Sequence, residues 1–246
     1  MDLIVESSPR RPSLEVAVAH ALVERVNEGG LGSLLRLYRP APTVAFGRLD
    51  ALRPGYGAAV AAAREHGFEP VLRAPGGHAV AYHEGCLGID EVLGEADPIA
   101  GMHHHFARSG DRLAGALRTL RVDSRVGRVP DEFCPGDFTV NARGAVKLVG
   151  TAQRVVRHAS LLAASVVVRD AGPIREALRD VYRALELSWD PRTAGAVADE
   201  VAGVTVDDVE RAVLDAYDLT VEPRALDAAT LERARKLEPR HVVPDS

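Results

Sequence analysis

The sequence predicts an α+β (mixed α/β) fold. Short apolar runs bounded by glycine or proline indicate strands, and longer segments with apolar residues three or four positions apart indicate helices. These segments follow one another without the regular alternation of a doubly wound sheet or a barrel. Neither a Walker-type phosphate loop nor a dinucleotide-binding glycine fingerprint is present in the sequence. We therefore expect a mixed sheet packed with helices.

The first half of the chain is expected to hold two helices and five strands. Ser13 is a candidate cap for the first helix, whose apolar residues recur at helical spacing: Leu14, Val18, Leu22 and Val26. The second helix is an alanine-rich stretch that stops at Gly67. The predicted helices are residues 13–26 and 56–66, and the predicted strands are residues 34–38, 43–47, 70–73, 78–82 and 85–90.

The second half is expected to hold three helices and three strands. Residues 138–140 and 146–156 predict a β-hairpin about the turn 141–144, and residues 161–168 form a near-continuous apolar strand. Helices are predicted at 106–120, 173–185 and 205–217, the last with Thr205 as cap and Asp208 three residues on. We expect one domain over residues 1–218, helical in its last part (170–218), and a loosely packed, charged, proline-containing tail over 219–246.

Composition and targeting signals limit the class of protein. The chain has 246 residues, a formal net charge of -5, 46% hydrophobic and 4% aromatic residues, values typical of globular proteins. A slightly acidic chain does not favour nucleic-acid binding. No apolar run approaches the ~20 residues that span a bilayer, and residues 1–10 lack the apolar core of a signal peptide. We expect a cytoplasmic protein with neither nucleic acid nor membrane as partner.

Two segments carry turns that suit a ligand site. In the first, Arg73-Ala74-Pro75-Gly76-Gly77-His78, adjacent glycines let the backbone approach a ligand closely, and an arginine precedes them. A tight hairpin connection is the simpler explanation of such a turn. In the second, Cys134 precedes Pro-Gly and therefore lies in an accessible loop. The acidic neighbours Asp131, Glu132 and Asp137 raise a thiol pKa, so a reactive Cys134 needs a cation nearby.

Lys147 is one of only two lysines in the chain, the other being Lys236 in the charged tail. A lysine that persists in an arginine-rich sequence can mark a position where the compact ammonium is needed, with chance survival as the alternative; for Lys236 chance is the better explanation. Strand alternation puts Lys147, Val149, Thr151 and Gln153 on one face and Val146, Leu148, Gly150 and Ala152 on the core face. Simple hairpin pairing places Cys134 opposite Thr151 or Ala152, so a Cys134–Lys147 contact requires the segment around Cys134 to fold back over the sheet.

Other polar and aromatic residues have simpler explanations. His103-His104-His105 cannot all face one ion, and no matching ligand spacing follows, so we expect a solvated helix start and no metal. Cys86 is expected in the core, and two cysteines are too few for a disulfide framework. Trp189 is expected to anchor the C-terminal helices.

Taken in order, the three motifs resemble the biotin/lipoate protein ligase and octanoyl/lipoyl transferase catalytic-domain superfamily. Arg73-Ala74-Pro75-Gly76-Gly77-His78-Ala79-Val80 is similar to its Arg-x-Ser-Gly-Gly-x-Ala-Val loop, and Lys147-Leu148-Val149-Gly150-Thr151-Ala152-Gln153 is similar to its Lys-Ile-x-Gly-x-Ala-Gln strand. The resemblance covers residues 11–217. It implies a mixed β-sheet like that of class II synthetases and biotin ligases, with C-terminal helices, over the domain 1–218.

The third motif points to one branch of the superfamily. Phe133-Cys134-Pro135-Gly136-Asp137-Phe138 resembles the Tyr-Cys-Pro-Gly-Asp-Tyr segment of the amidotransferases that move octanoyl from the glycine-cleavage H protein to other lipoyl domains. The resemblance implies Cys134 as the thioester-forming nucleophile, with Lys147 lowering its pKa and orienting the acyl carbonyl. The implied substrate-binding residues are Arg73, Gly76, Gly77, His78, Ala79, Lys147, Gly150, Thr151 and Gln153.

Such a transferase needs no cofactor, and the resemblance implies lipoyl-domain partners. These are the glycine-cleavage H protein and the E2 subunits of 2-oxoacid dehydrogenases, with acyl carrier protein as a further candidate donor. One alternative is an ATP-dependent lipoate–protein ligase that needs ATP and Mg, in which Lys147 still serves and Cys134 is incidental. Ala74, where ligases commonly have a second arginine, and the lack of a large accessory domain after Tyr217 favour the transferase. A non-catalytic acyl-binding protein is the second alternative.

Overall fold

Two β-sheets and seven α-helices build residues 1–244, which the computed structural model describes. The predicted mixed α/β class is confirmed. The larger sheet has the order β1-β2-β6-β10-β9-β8-β7 and the smaller one β4-β3-β5. The strands are β1 (Asp2–Glu6), β2 (Leu34–Tyr38), β3 (Thr43–Phe46), β4 (Glu69–Leu72), β5 (Val80–Tyr82), β6 (Cys86–Gly94), β7 (Ser124–Val126), β8 (Val140–Ala142), β9 (Val146–Val155) and β10 (Ala159–Val167). The helices are α1 (Pro12–Asn27), α2 (Tyr56–Glu65), α3 (Pro98–Thr119), α4 (Ala171–Ala184), α5 (Val197–Glu200), α6 (Val206–Tyr217) and α7 (Ala228–Leu237).

The centre of the larger sheet is antiparallel, and its register aligns small residues across strands. β9, β10, β6 and β2 pair in that order, while β1 adds to β2 in parallel. One row across these strands reads Gly150, Ser165, Gly88 and Tyr38, and the next reads Ala152, Ala163, Asp90 and Arg36. The short side chains that β9 and β10 contribute to these rows leave space above one face of the sheet.

The two faces of the larger sheet are covered differently. Helices α3 and α6 pack their apolar side chains on one face, with Leu113, Leu117 and Val213 almost fully buried. The smaller sheet, α1 and α4 lie over the other face, and α2 packs behind the smaller sheet on α4. None of the helices in residues 1–244 is long and apolar enough to cross a membrane.

Helix ends follow local signals in some places and long-range contacts in others. The predicted cap of α6 is confirmed, because Thr205 and Asp208 form a reciprocal capping box. The predicted cap of α1 is wrong: Pro12 begins this helix, and Ser13 Oγ donates to Glu238 Oε1 at 2.7 Å. Helix α3 begins at Pro98, earlier than predicted, because Asp97 caps it by accepting from the Ala100 N–H at 3.0 Å.

The earlier start of α3 changes the environment of the histidine run. His105 is 1% exposed and contacts Ser160 Oγ through Nδ1 at 3.0 Å, so the prediction of a solvated helix start is wrong for this residue. His103 and His104 are exposed, as predicted. No cluster of metal-ligating side chains occurs within residues 1–244.

The expected loose packing of the tail is also wrong. Helix α7 packs on α1 with Ala234 and Leu237 buried, and Arg233 bridges to Glu24 and Glu28 at 3.0 and 2.9 Å. Its charged residues therefore pair across two helices instead of facing only solvent. Beyond α7, the Leu72 N–H donates to the His241 carbonyl at 3.0 Å. The last two residues of the predicted tail, 245–246, lie outside the described residues.

Candidate active site

An apolar cavity lies between the two sheets, with a volume of about 1010 Å³ that includes its open mouth. Gly150, Ala152 and Ala163 form its floor on the larger sheet, and Val80 and Ala81 of the smaller sheet form its roof. Because the floor residues are small, the cavity continues across β9 and β10 to β6. A cavity with this mostly apolar lining suits the apolar part of a small ligand.

The polar side chains of Tyr38 on β2 and Asp90 on β6 line the end of the cavity away from β9. Asp90 is 1% exposed, and Arg36 Nη1 donates to Asp90 Oδ2 at 3.0 Å. Burial raises the pKa of Asp90 to about 6. The ring of Tyr38 lies against Gly88, where a Cβ would overlap it. The Arg36–Asp90 pair and the Tyr38 ring therefore limit the cavity on this side.

Cys134 lies at the cavity mouth, in the loop formed by residues 129–139, which we call the Cys134 loop. Its φ of +40° is in the left-handed region, which is uncommon for a residue other than glycine. The Cys134 N–H donates to Tyr182 Oη at 2.8 Å, and Tyr182 Oη donates to the Ala79 carbonyl at 3.0 Å. Burial raises the pKa of Tyr182 well above its ordinary value, so this hydroxyl stays neutral as it links the Cys134 loop to Ala79.

The cation at the thiol is Arg73. Its Nη2 lies 3.5 Å from Cys134 Sγ and donates to the His78 carbonyl at 2.9 Å. Gly77, with φ of +96°, lies beside both groups: a Cβ there would be 2.5 Å from Arg73 Nη2 and 2.8 Å from Cys134 Sγ. This position therefore requires glycine for both its conformation and its close approach to the sulfur.

Lys147 contacts the backbone of the Cys134 loop. Its Nζ donates to the carbonyls of Phe133 at 3.0 Å and Cys134 at 2.9 Å, and it lies 2.8 Å from Glu132 Oε2. The side chain is 3% exposed. The loop therefore folds back over the sheet, as a Cys134–Lys147 contact requires. These three acceptors match the three N–H donors of an ammonium group.

Glu132 organises the Cys134 loop, a role that its position in the sequence did not indicate. Its side chain is fully buried beside Lys147 and accepts from the N–H groups of Val129 and Gly136 at 3.2 and 3.4 Å. Thr139 Oγ1 donates to the same carboxylate at 2.8 Å. A buried carboxylate needs such partners, so the rare lysine is a signal that an acidic partner lies nearby.

Aromatic side chains support the same loop from behind. The Trp189 ring packs edge-on against Phe133, with centroids 5.5 Å apart, and lies 5.7 Å from the Tyr182 ring. The prediction that Trp189 anchors the C-terminal helices is therefore only partly right: it packs on α4 through Tyr182 and on the Cys134 loop through Phe133. Neither Tyr182 nor Trp189 was a candidate site residue, because their roles depend on contacts distant in sequence.

The structure brings most of the predicted site residues together. Gly150 and Thr151 line the cavity with Arg73 and Lys147, Ala79 is buried beneath the mouth, and Gly76 is exposed at its rim. Gln153 differs: it points to the opposite face of the sheet, where Nε2 lies 3.0 Å from His105 Nδ1. Lys147 does not share that face, because the pairing of β8 with β9 is irregular between Lys147 and Val149. Cys86 is fully buried, as predicted.

Comparison with known proteins agrees with this fold. An octanoyl-[GcvH]:protein N-octanoyltransferase of Exiguobacterium sp. is 30% identical over 152 residues, which is 61% of this chain and 54% of that protein. A protein of the same name from Oceanobacillus iheyensis is 26% identical over 224 residues, covering 85% of this chain and 78% of the relative. The chain thus matches about half the length of the first relative.

Solved structures of lipoate ligases share the fold. A putative lipoate protein ligase from T. acidophilum superposes with a TM-score of 0.75 at 19% identity, covering 97% of this chain and 94% of that one. A lipoate-protein ligase A bound with ATP gives a TM-score of 0.71 at 19% identity, with coverage of 97% and 94%. The family model described as "Lipoyl protein ligase A/B catalytic domain" matches residues 11–218. The family resemblance of the three motifs is thus confirmed, and the chain belongs to the lipoyl protein ligase A/B catalytic domain family.

Proposed function

We propose that this protein is an acyltransferase that carries an octanoyl or lipoyl group as a thioester on Cys134 and passes it to a lysine of a lipoyl domain. The observation that carries the proposal is the position of Cys134 Sγ, at the mouth of an apolar cavity and 3.5 Å from Arg73 Nη2. A reactive cysteine needs access and a nearby cation, and this thiol has both. The names of the relatives given above support the same reaction class.

The cavity suits an eight-carbon acyl chain attached to Cys134. Its floor runs from Gly150 and Ala152 on β9 across β10 to Asp90 on β6. This is two strand spacings, or about 10 Å, comparable with the length of an extended C8 chain. Beyond that distance the buried Asp90–Arg36 pair would have to lose its partners to admit more methylene groups, which is unfavourable.

The charged side chains at the mouth place a cation beside the thiol. The Arg73 guanidinium stabilises negative charge on Cys134 Sγ directly. The Glu132 carboxylate is paired with Lys147 at 2.8 Å. We therefore assign thiolate stabilisation to Arg73 and give Lys147 the role of holding the Cys134 loop over the cavity.

The reaction consists of two acyl transfers. The Cys134 thiol gives up its proton and attacks the acyl carbonyl of the donor: a C–S bond to Cys134 forms, the donor's carbonyl C–N or C–S bond breaks, and the leaving amine or thiol takes up that proton. The amine of the acceptor lysine then attacks the thioester, an amide C–N bond forms, and the thiolate is released. Because the acyl group is already activated as a thioester in the second step, the proposal requires neither ATP nor another cofactor.

The partners we propose are lipoyl-domain proteins. The donor is the octanoylated glycine-cleavage H protein, which the relatives' names specify for those proteins, and the acceptors are E2 subunits of 2-oxoacid dehydrogenases. Acyl carrier protein is a second candidate donor. Each proposed acceptor must present an exposed lysine that reaches the cavity mouth.

The test is transfer from octanoylated H protein to an E2 lipoyl domain without ATP, followed by the mass of the acceptor. Cys134→Ala should abolish transfer, while Cys86→Ala, which removes the other cysteine, should retain it. Transfer that needs ATP and survives Cys134→Ala would instead establish a lipoate–protein ligase. Binding of octanoate without transfer under either condition would establish a non-catalytic acyl-binding protein.

A further inference from the structure

An Asp–His pair, of which only the Asp is buried, adjoins the proposed nucleophile and has no part in the mechanism described so far. His78 Nδ1 lies 2.8 Å from Asp50 Oδ1. The Asp50 side chain is fully buried, and its Oδ2 accepts from the Gly47 N–H at 3.0 Å, whereas 32% of the His78 side chain is exposed. A fixed carboxylate on one ring nitrogen sets the tautomer and leaves the other nitrogen to accept a proton.

The backbone of His78 is close to the thiol. Gly77, the preceding residue, would place a Cβ 2.8 Å from Cys134 Sγ. A single atom, Arg73 Nη2, contacts both the His78 carbonyl and Cys134 Sγ. The turn that contains Gly47 and Asp50 packs on the segment that carries His78, because the Gly77 carbonyl contacts Gly47. The imidazole is therefore attached to backbone that lies one residue from the closest approach to the thiol.

The second acyl transfer needs a proton acceptor. A lysine amine has an ordinary pKa of about 10.4, so it arrives protonated and must lose protons before an amide forms. The Nζ of Lys147 already contacts the Phe133 and Cys134 carbonyls and the Glu132 carboxylate, so it does not face an incoming amine. The ring nitrogens of His83 are also engaged, with the Asp170 carbonyl at 2.9 Å and the Gly85 N–H at 2.8 Å.

We propose that His78, oriented by Asp50, is the general base that accepts a proton from the attacking lysine of the lipoyl domain. This inference rests on the proposed function. As the C–N bond forms and the C–S bond breaks, a proton passes from the amine nitrogen to His78 Nε2, and the thiolate returns to Cys134 beside Arg73. The proton then leaves His78 to solvent through the exposed edge of the ring.

The experiment compares two nucleophiles on the same acyl-enzyme. Wild type and His78→Asn are first loaded on Cys134 from octanoylated H protein and then discharged either by an E2 lipoyl domain or by hydroxylamine. Hydroxylamine is largely unprotonated at neutral pH and needs no base to become nucleophilic. We expect His78→Asn to slow discharge by the lysine about 100-fold, in the range of general-base effects, and to leave discharge by hydroxylamine unchanged.

Two further variants separate chemistry from structure. Asp50→Asn keeps an oxygen for the Gly47 N–H but weakens the orientation of the ring, so it should slow lysine discharge in the same direction and by less. His104→Asn changes an exposed histidine of α3 outside the site and should match wild type with both nucleophiles.

Equal slowing of both nucleophiles in His78→Asn would show a structural role and overturn the inference, as would unchanged discharge by the lysine. A wild type that forms no acyl-enzyme would overturn the proposed function itself, and this result is distinguishable because it precedes the discharge step.

Discussion

Tyr182→Phe tests whether the Tyr182 hydroxyl, which links the Cys134 N–H to the Ala79 carbonyl, positions the nucleophile. The substitution removes one oxygen and keeps the ring, so the packing on Trp189 stays in place. It leaves two buried backbone groups without a partner, the Cys134 N–H and the Ala79 carbonyl, which lie 2.8 and 3.0 Å from the lost oxygen.

The magnitude follows from those two groups. Leaving a buried polar group unsatisfied costs about 1–3 kcal/mol. Water that reaches the half-buried Cys134 N–H reduces one of the two costs, so we expect the free energy of unfolding to fall by about 2–4 kcal/mol. Because Cys134 is held at a positive φ, we also expect slower acylation of its thiol, by about tenfold for each 1.4 kcal/mol of lost positioning.

Urea denaturation measures the stability, and the rate of mass gain on mixing with octanoylated H protein measures acylation. Tyr56→Phe is the matched control, since Tyr56 packs in the same core cluster and its buried hydroxyl has no hydrogen-bond partner among the described residues. It should lose neither stability nor acylation rate. If Tyr182→Phe behaves like Tyr56→Phe in both assays, the bridge does not hold the nucleophile and the reasoning is refuted.

Three further predictions follow from the contacts described above. Gly77→Ala should block acylation of Cys134, measured by intact mass, because its Cβ would displace both Arg73 and the thiol; normal acylation would contradict the site geometry. Lys147→Met should lower the free energy of unfolding by about 3–5 kcal/mol by stranding the Glu132 carboxylate, and adding Glu132→Gln should restore part of that loss. Burial by itself would raise the pKa of Glu91, but hydrogen bonds from His105, Ser109 and Tyr217 lower it to about 2. Since this pKa lies below the ordinary 4.5, the stabilisation is present above about pH 4.5 and lost as pH falls towards 2, so Glu91→Gln should flatten the pH dependence of unfolding in that window.

Local signals were enough to predict the central elements of the fold. The apolar run that became β10 and the Thr205–Asp208 box at the start of α6 depend on neighbouring residues alone. Strand β1 was missed because it is five residues long and exists through its parallel pairing with β2. Helix α7 was missed because its Arg233 is stabilised by Glu24 of α1 and by Glu28 just after that helix, more than two hundred residues earlier.

The residues of the candidate site were predicted from local signals, but the contacts between them were not. Arg73, Cys134 and Lys147 were predicted from short motifs that carry their own turn and strand signals. Their contacts were not predicted: the sequence suggested Lys147 as the cation at the thiol, whereas Arg73 Nη2 lies there and Lys147 binds Glu132 and the loop carbonyls. Which cation reaches the sulfur depends on how the Cys134 loop folds back over the sheet, and this is set by tertiary contacts.

The most direct test of the account is the intact mass of the enzyme after mixing with octanoylated H protein in the absence of ATP. We expect wild type and Cys86→Ala to gain one octanoyl group that hydroxylamine removes, and Cys134→Ala to gain none. No adduct on wild type, or the same adduct on Cys134→Ala, would contradict a thioester on Cys134 and with it the proposed mechanism.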